Sequence, residues 1–327
     1  MINSPTPLRN WQIAETLPAE ADANLQEYPA IIRQLLYNRG CTTAAEAERY
    51  LACDAPLHDP FLLADMEIAI GRIWAALQAK QPIAVYGDYD VDGVTASALL
   101  VQVLRKYGGL ADAYIPNRFE EGYGLNNEAI DILAERGTRL IITVDCGIRS
   151  PVEAENARAL GLDLIISDHH HPQGRLPQAL AVICQRRPDN AYPDLNLAGV
   201  GLAYKITQAL FNRHPLPGHC AEEWLDLVAL GTIADVVPLT GENRALVRGG
   251  LARLRQGQRV GTRSLAQAAN ITIERIHAGD VGFLLGPRLN AAGRLESALA
   301  SYQLLIAQDI QEAGLLAQKL DDQNRQR

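Results

Sequence analysis

The sequence lacks long apolar runs. Apolar stretches such as Leu140–Val144 (interrupted by Thr143) and Leu164–Ile166 are far shorter than the roughly 20 residues that a membrane helix needs. A secretory signal has an apolar segment behind a basic cluster, and the first ten residues, MINSPTPLRN, contain no such segment. We therefore expect a cytoplasmic protein without a membrane segment.

Cysteine is scarce and unpatterned. The five cysteines are odd in number, scattered along the chain and form no CxxC pair. This spacing excludes a disulfide framework and a zinc ribbon, and favours reduced thiols. The cysteines are Cys41, Cys53, Cys146, Cys184 and Cys220.

An excess of positive charge is also missing. The formal net charge of −8 by itself argues against a nucleic-acid-binding protein. However, the segment Arg244–Arg294 contains nine arginines and only two acids, a net charge of +7, which leaves −15 for the rest of the chain. This segment is either a solvated helical face or an arginine-rich lobe beside an acidic one. The second arrangement suits an enzyme with a carboxylate metal site and a polyanionic substrate.

What the chain does contain is a change of rhythm near residue 80. Residues 1–75 are predicted to be mostly helical, with a turn-rich joint at Pro56–Pro60. Residues 76–304 are predicted to form the main domain, which becomes helical and arginine-rich after about residue 200. Residues 305–327 are predicted to begin a connector helix towards a second lobe outside this chain. With 48% hydrophobic residues, the 327-residue chain can bury a sizeable core.

Short apolar strands alternate with amphipathic helices in the main domain. The strands are predicted at 82–87, 111–116, 139–145 and 162–168, and the first helix at 94–107 after an acidic loop. Helices of ten or more residues between strands are typical of βαβ units. The expected fold class is therefore α/β, with a doubly wound, mainly parallel sheet flanked by helices, a helical N-terminal segment and a C-terminal connector helix.

Acidic residues follow three of the predicted strands. Each one alone is often just the cap of the next helix. Together, at the carboxyl edge where such sheets bind ligands, they would repel one another strongly unless cations neutralised them. The three stretches are Asp88-Tyr89-Asp90-Val91-Asp92, Asp145-Cys146-Gly147 and Asp168-His169-His170.

The ligand types favour particular metals. An oxygen-rich shell with one imidazole suits Mn²⁺ or Mg²⁺ better than Zn²⁺. A calcium loop is excluded because its twelfth position is Leu99 instead of a glutamate. Two such ions about 3.5–4 Å apart can activate water and stabilise an in-line phosphoryl displacement. The residues therefore predict a two-metal phosphoesterase.

Four motifs resemble those of the DHH phosphoesterases. They are Gly87–Gly93, Val144–Gly147, Ser167–His170 and Gly231–Pro238. Three further stretches are similar to the RecJ branch of that family in particular: Pro116–Gly124, Leu197–Gly201 and Gly286–Arg294. The resemblance covers roughly residues 30–327.

The resemblance implies a role for each matching residue. Two divalent ions, Mn²⁺ or Mg²⁺, would be held by Asp88, Asp90, Asp92, Asp145, His169 and Asp235. Asp145 would bridge the ions, and Asp88 would fill the gap left by Tyr86, where other DHH branches carry a metal-binding histidine. The catalytic set would be Asp145, Asp168, His169 and His170, with Asp168 orienting the adjacent histidine and His170 facing the scissile phosphate. DNA would be contacted by Arg118, Tyr123, Arg288, Asn290 and Arg294.

The resemblance also implies an activity, a 5′-to-3′ exonuclease for single-stranded DNA in repair and recombination. Its partners would be single strands with a free 5′ end, single-stranded-DNA-binding protein and a helicase. The chain departs from the family at Ile183-Cys184-Gln185, where an Ile-Asn-Pro turn is usual, and we expect a local loop change without loss of chemistry. Two alternatives remain: a DHH phosphodiesterase for short oligonucleotides or cyclic dinucleotides, and a non-catalytic scaffold with the same fold.

Overall fold

The computed structural model describes residues 12–53, 55–117, 121, 122, 124–295 and 297–326, with the backbone alone at 294 and 295. The chain divides into two compact units, Met1–Ala55 and Pro56–Arg327. The smaller unit contains three short helices around Leu25, Leu36 and Ala47. The helices are α1 (Ala19–Asn24), α2 (Ala30–Tyr37) and α3 (Ala44–Ala52).

The larger unit begins with α4 and then alternates strands with helices. Five strands form one sheet among the described residues, and the predicted β-α alternation is confirmed. The elements are α4 (Met66–Gln78), β1 (Pro82–Gly87), α5 (Val91–Lys106), β2 (Leu110–Tyr114), α6 (Asn127–Glu135), β3 (Leu140–Val144), α7 (Pro151–Ala159), β4 (Asp163–Ser167) and β5 (Ala181–Ile183).

Helices make up the rest of the larger unit, as the sequence predicts. They are α8 (Gly199–Arg213), α9 (Leu225–Ala234), α10 (Gly241–Arg255), α11 (Val260–Ala268), α12 (Ala278–Asp280), α13 (Gly286–Leu295), α14 (Leu299–Ile306) and α15 (Ile310–Gln326). A single π-helical turn, Val281–Leu285, joins α12 to α13.

All strand pairs are parallel, in the order β2-β1-β3-β4-β5. Alternate side chains enter two separate cores, one on each face of the sheet. Ile83 and Val85 pack with α4, α5 and α8, whereas Ala84 and Tyr86 pack with α6 and α7. The doubly wound α/β fold is therefore confirmed. Its strand order reverses between β1 and β3, and ligands bind outside the carboxyl ends of strands at such a point.

One local expectation was wrong, and one strand was missed. Helix α5 begins at Val91, three residues earlier than predicted, because the Asp90 side chain accepts a hydrogen bond from the Gly93 amide and caps the helix. Asp92 therefore lies in the first helical turn and not in a loop. Strand β5 was not predicted, since three residues carry too little periodicity and this strand is defined by its pairing with β4.

Candidate metal centre

Three carboxylates and one imidazole converge at the carboxyl edge of the sheet. Nε2 of His169 lies 3.1 Å from Asp145 Oδ1, 3.7 Å from Asp235 Oδ2 and 3.9 Å from Asp92 Oδ2. Asp235 follows the last residue of α9 as its C-cap, so the helical part of the unit also contributes a residue to this site. The predicted residues Asp92, His169 and Asp235 thus lie within reach of one ion, and Asp145 adjoins them through His169.

A second group adjoins the first through Asp145. Asp88, Asp90 and Asp145 each offer a carboxylate oxygen, and these atoms lie within 4.8 Å of one another. Asp145 therefore contributes to both groups, which is the arrangement expected of a bridging ligand. Tyr86 points elsewhere, because its hydroxyl donates a hydrogen bond to the Gly124 carbonyl.

Several of these atoms make no hydrogen bond to a described residue. Three of these atoms are buried and lack such a hydrogen bond: Oδ1 of Asp145, Nε2 of His169 and Oδ2 of Asp235. Unpaired buried polar atoms are costly, and convergent ones are typical of a site that binds a cation. The donor set, rich in carboxylate oxygen with one imidazole, fits Mn²⁺ or Mg²⁺.

The electrostatics of the carboxylates agree with this fit. Burial and the neighbouring charge of Asp90 raise the pKa of Asp88 to about 7. Burial, followed by the charge of Asp92, raises the pKa of Asp145 well above its usual value. The pKa values of Asp92 and Asp235 are raised mainly by burial as well. Without positive charge nearby, the fold therefore disfavours ionisation of this cluster.

The N-terminus of α8 holds Asp92 in place. The Gly199 amide donates to Asp92 Oδ2 (2.6 Å) and the Val200 amide donates to Oδ1 (2.8 Å). Gly199 also has to be glycine, because a Cβ atom there would lie 2.6 Å from Asp145 Cβ and 2.7 Å from Oδ1. Sequence reasoning missed this role, although Gly199 belongs to the quoted stretch Leu197–Gly201.

Asp168 contacts a different histidine from the one expected. Its Oδ1 lies 2.7 Å from His170 Nδ1 and accepts the His170 amide, while Oδ2 accepts the Ile148 amide. Asp168 therefore orients His170 and not the adjacent His169, because a carboxylate in this turn reaches the backbone two residues on. The hydrogen bond that His170 donates to the Asp168 carboxylate raises the pKa of His170, whose side chain is 34% exposed.

Cys146 is buried beside the site, and its Sγ lies 3.8 Å from the Tyr86 carbonyl. Burial raises the pKa of this thiol well above its ordinary value, so Cys146 is a packing residue.

The stretch Ile183-Cys184-Gln185, which replaces the usual Ile-Asn-Pro turn of the family, has a structural role. The buried Gln185 side chain donates to the Leu197 carbonyl (2.8 Å), two residues before α8 begins.

Comparisons with known proteins show the family of this chain. The family described as "DHH family, N-terminal domain" matches residues 82–232. The RecJ single-stranded-DNA-specific exonuclease of Bacillus subtilis is 44% identical over 91% of this chain and 37% of its own length. A crystal structure of exonuclease RecJ bound to manganese is 39% identical, covers 83% of this chain and 68% of that one, and has a TM-score of 0.74. This chain belongs to the RecJ family.

Structures of RecJ from Thermus thermophilus in complex with Mn²⁺ and with Mg²⁺ are also similar. They are 34% and 32% identical, cover 94% of this chain and 43% and 40% of theirs, and have TM-scores of 0.79 and 0.69. The chain spans about half the length of the curated RecJ relatives it matches. No helix among the described residues is long and apolar enough to cross a membrane.

The residues predicted to contact DNA differ in their surroundings. Asn290 lines a cleft of about 220 Å³ together with Asp90, Asp92 and Asp235, and its Oδ1 accepts the Val91 amide. Arg288 is bound by Asp321 of α15, with Nε 2.8 Å from Oδ1, and its side chain is 13% exposed. Arg118, Tyr123 and the Arg294 side chain lie outside the described residues.

Proposed function

We propose that this RecJ-family chain hydrolyses single-stranded DNA from the 5′ end with two divalent ions, Mn²⁺ or Mg²⁺. The observation that carries the proposal is the convergence of the Asp92, Asp145 and Asp235 carboxylates on His169. Asp145, His169 and Asp235 each contribute a buried atom without a hydrogen bond to a described residue. Asp88, Asp90 and Asp145 would hold one ion. Asp92, Asp145, His169 and Asp235 would hold the second, so Asp145 would be shared by the two sites. When bound, such ions supply an activated water and stabilise the charge on the phosphodiester.

The residues around the ions would orient the substrate. The Asp168 carboxylate accepts a hydrogen bond from Nδ1–H of His170 and so favours the protonated ring. Nε2 of His170 is then a donor for an oxygen of the scissile phosphate. Asn290 lines the adjoining cleft, on a segment far from the DHH turn in sequence.

The proposed substrate follows from the RecJ relatives, which are named single-stranded-DNA-specific exonucleases. The Pro116–Gly124 stretch, with Arg118 and Tyr123, supports a grip on a 5′ end by a guanidinium and a stacked base. Arg288 and Arg294 are proposed phosphate contacts. We place the activity in cytoplasmic DNA repair and recombination, where a helicase and single-stranded-DNA-binding protein would present the strands.

The test is hydrolysis by the 327-residue chain of a 5′-phosphorylated single strand, the matching duplex and a dinucleotide, with and without Mn²⁺. We expect Mn²⁺-dependent release of nucleotides from the 5′ end of the single strand and little from the duplex. Activity confined to the dinucleotide would instead indicate a short-oligonucleotide phosphodiesterase. Manganese binding without hydrolysis of any substrate would leave the scaffold alternative.

A further inference from the structure

A polar cluster that the metal centre does not use lies at the ends of β1 and β2. Tyr86, in β1, is completely buried on the face of the sheet that packs against α6. Its hydroxyl donates to the Gly124 carbonyl (2.9 Å) and accepts from Asn126 Nδ2 (3.1 Å). The ring of Tyr114, at the end of β2, stacks on that of Tyr86 with centroids 5.2 Å apart.

Glu121 completes the cluster from the following segment of chain. Its Oε2 accepts the Tyr114 hydroxyl (2.7 Å) and Asn126 Nδ2 (3.4 Å). Its Oε1 accepts the Asn117 amide (2.8 Å), and its own amide donates to the Asn117 carbonyl. Asn126 in turn caps α6 through the Ala129 amide. We call Tyr86, Tyr114, Glu121 and Asn126 the tyrosine anchor.

The anchor holds the chain on both sides of the residues proposed to grip DNA. Asn117 precedes Arg118, and Gly122 and Gly124 flank Tyr123 in the sequence. The backbone is tied at Asn117, Glu121 and Gly124, and each tie leads to the ends of two neighbouring core strands. A binding group is effective only when its support is rigid, because a small displacement costs much of the gain from orientation.

The anchor also shares its strand with the metal centre. Tyr86 lies two residues before Asp88, and the sulfur of Cys146, which follows Asp145, lies against the Tyr86 carbonyl. The end of β1 is therefore shared. The Tyr86 hydroxyl lies on one face of this strand, and the metal-site carboxylates follow directly after it in the chain. Tyr86 thus ties Gly124 to the strand that leads into the metal-site carboxylates.

We propose that the tyrosine anchor is the positioning element for recognition of the DNA 5′ end, with Tyr86 and Glu121 as positioning residues. The inference rests on the proposed function and names the support of its end-binding segment. Because the anchor includes none of the residues proposed to hold the ions or to contact the scissile phosphate, its loss affects capture of the 5′ end more than the chemical step.

The test compares Tyr86→Phe and Glu121→Gln with wild type, on strands with a 5′-phosphate or a 5′-hydroxyl. Phenylalanine keeps the ring stacking and removes only the hydroxyl. We expect KM for the 5′-phosphorylated strand to rise about two- to tenfold, the effect of one hydrogen bond, with kcat and Mn²⁺ affinity nearly unchanged. Fluorescence anisotropy at low salt, which does not depend on hydrolysis, should show a reduced preference for the 5′-phosphate.

The matched control is Tyr204→Phe. Tyr204 is also completely buried, and its hydroxyl has no hydrogen-bond partner among the described residues, so this change should leave both measurements at the wild-type level. An active wild type whose KM and 5′-phosphate preference are unchanged in Tyr86→Phe would overturn the inference and leave the proposed function standing. A fall in both the Mn²⁺ affinity and the unfolding midpoint of Tyr86→Phe would also overturn the inference, because it would indicate a purely structural role. A wild type that binds Mn²⁺ without hydrolysing DNA would refute the proposed function, and anisotropy would still decide the anchor.

Discussion

Asp145 combines an unusual backbone with a shared carboxylate. Its φ angle is +63°, in the left-handed region that non-glycine residues seldom adopt, and it follows the fully buried strand β3. Such conformations persist where the surrounding fold over-determines them, often at functional sites. Here the turn directs the carboxylate into both candidate metal groups. Asparagine tolerates the same backbone region, so replacing Asp145 by asparagine tests the charge without disturbing the turn.

We expect Asp145→Asn to reduce hydrolysis more than about tenfold at saturating Mn²⁺, because an amide weakens both ion sites together. The unfolding midpoint of the metal-free chain should not fall. A suitable control is Asp163→Asn at the amino end of β4. Its carboxylate pairs with Arg72 and lies at the edge of the sheet opposite to the site. Activity of Asp145→Asn near that of this control would rule out a bridging role.

The raised pKa values predict that Mn²⁺ binding depends on pH. Asp88 has a folded-state pKa of about 7 against an ordinary value of 3.8, so the metal-free fold loses stability as pH rises from about 4 to 7. Mn²⁺ must displace the protons held below pH 7, and its affinity should therefore rise between about pH 5 and 8. Calorimetry in two buffers of different ionisation enthalpy should detect more protons released at about pH 6 than at about pH 8. Equal release at both values would contradict the raised pKa values.

At the scale of elements, the site depends on the close approach of α8 to the first turn of α5 and to the end of β3. The first two amides of α8 bind both oxygens of Asp92, and the positive end of a helix favours such a carboxylate. The contact joins residues more than a hundred positions apart in the chain. Helix α8 thereby keeps the first turn of α5 close to the end of β3.

Gly199→Ala should lower Mn²⁺ affinity and hydrolysis more than about tenfold, because the added methyl would overlap Asp145. The control is Gly201→Ala in the same helix, where the new Cβ would meet Leu197 at an ordinary 3.4 Å. Titration calorimetry and the initial rate of hydrolysis measure both variants. Equal behaviour of the two variants would show that α8 can move away without harm to the site.

Helices α13 and α15 are joined by the Arg288–Asp321 ion pair. Asp321 is 1% exposed, and its second oxygen lies 2.6 Å from Arg325. Arg288→Ala should lower the free energy of unfolding by about 1.5–3 kcal/mol, whereas the exposed Arg248→Ala should change it by less than about 0.5 kcal/mol. If Arg288 also contacts a phosphate, the slope of log affinity for single strands against log salt should fall by about 0.7. Denaturation and anisotropy measure the two effects, and unchanged stability would mean that the pair contributes little to the packing of α13.

For the whole molecule, the distribution of charge matters more than the total. The arginine-rich segment has a formal charge of +7, yet some of its arginines are neutralised by acids from other parts of the chain. Asp226 binds Arg259 through two hydrogen bonds of 2.6 and 3.1 Å, and Asp321 binds Arg288. The segment is thus partly a structural network, and less positive charge is free for DNA than the sequence suggests.

We therefore expect the 327-residue chain to bind Mn²⁺ well and single-stranded DNA weakly at physiological salt. If about three phosphates are contacted, a fourfold rise in salt should weaken binding roughly twentyfold. Anisotropy of a labelled strand between about 50 and 200 mM salt covers this effect. Tight binding that resists salt would mean that non-ionic contacts carry the grip.

The sequence alone determined the β-α alternation, the acidic strand ends and the resemblance to RecJ. These features depend on local periodicity and on residues close together in the chain. Asp88, Asp145 and Asp168 could be placed at one edge because parallel strands bring their carboxyl ends together. Helix capping was harder to predict: Asp90 caps α5 from within the acidic stretch and moves Asp92 into the helix.

Only the tertiary structure decided which groups meet. Asp92 binds the α8 amides, Asp168 selects His170, Tyr86 reaches Gly124, and Arg288 turns to Asp321. Each choice depends on packing between distant segments, where a side chain has several possible partners of similar energy. Strand β5 is likewise defined by its hydrogen bonds to β4 and not by its own three residues. Local pattern therefore predicted the chemistry of the site, and packing determined its geometry.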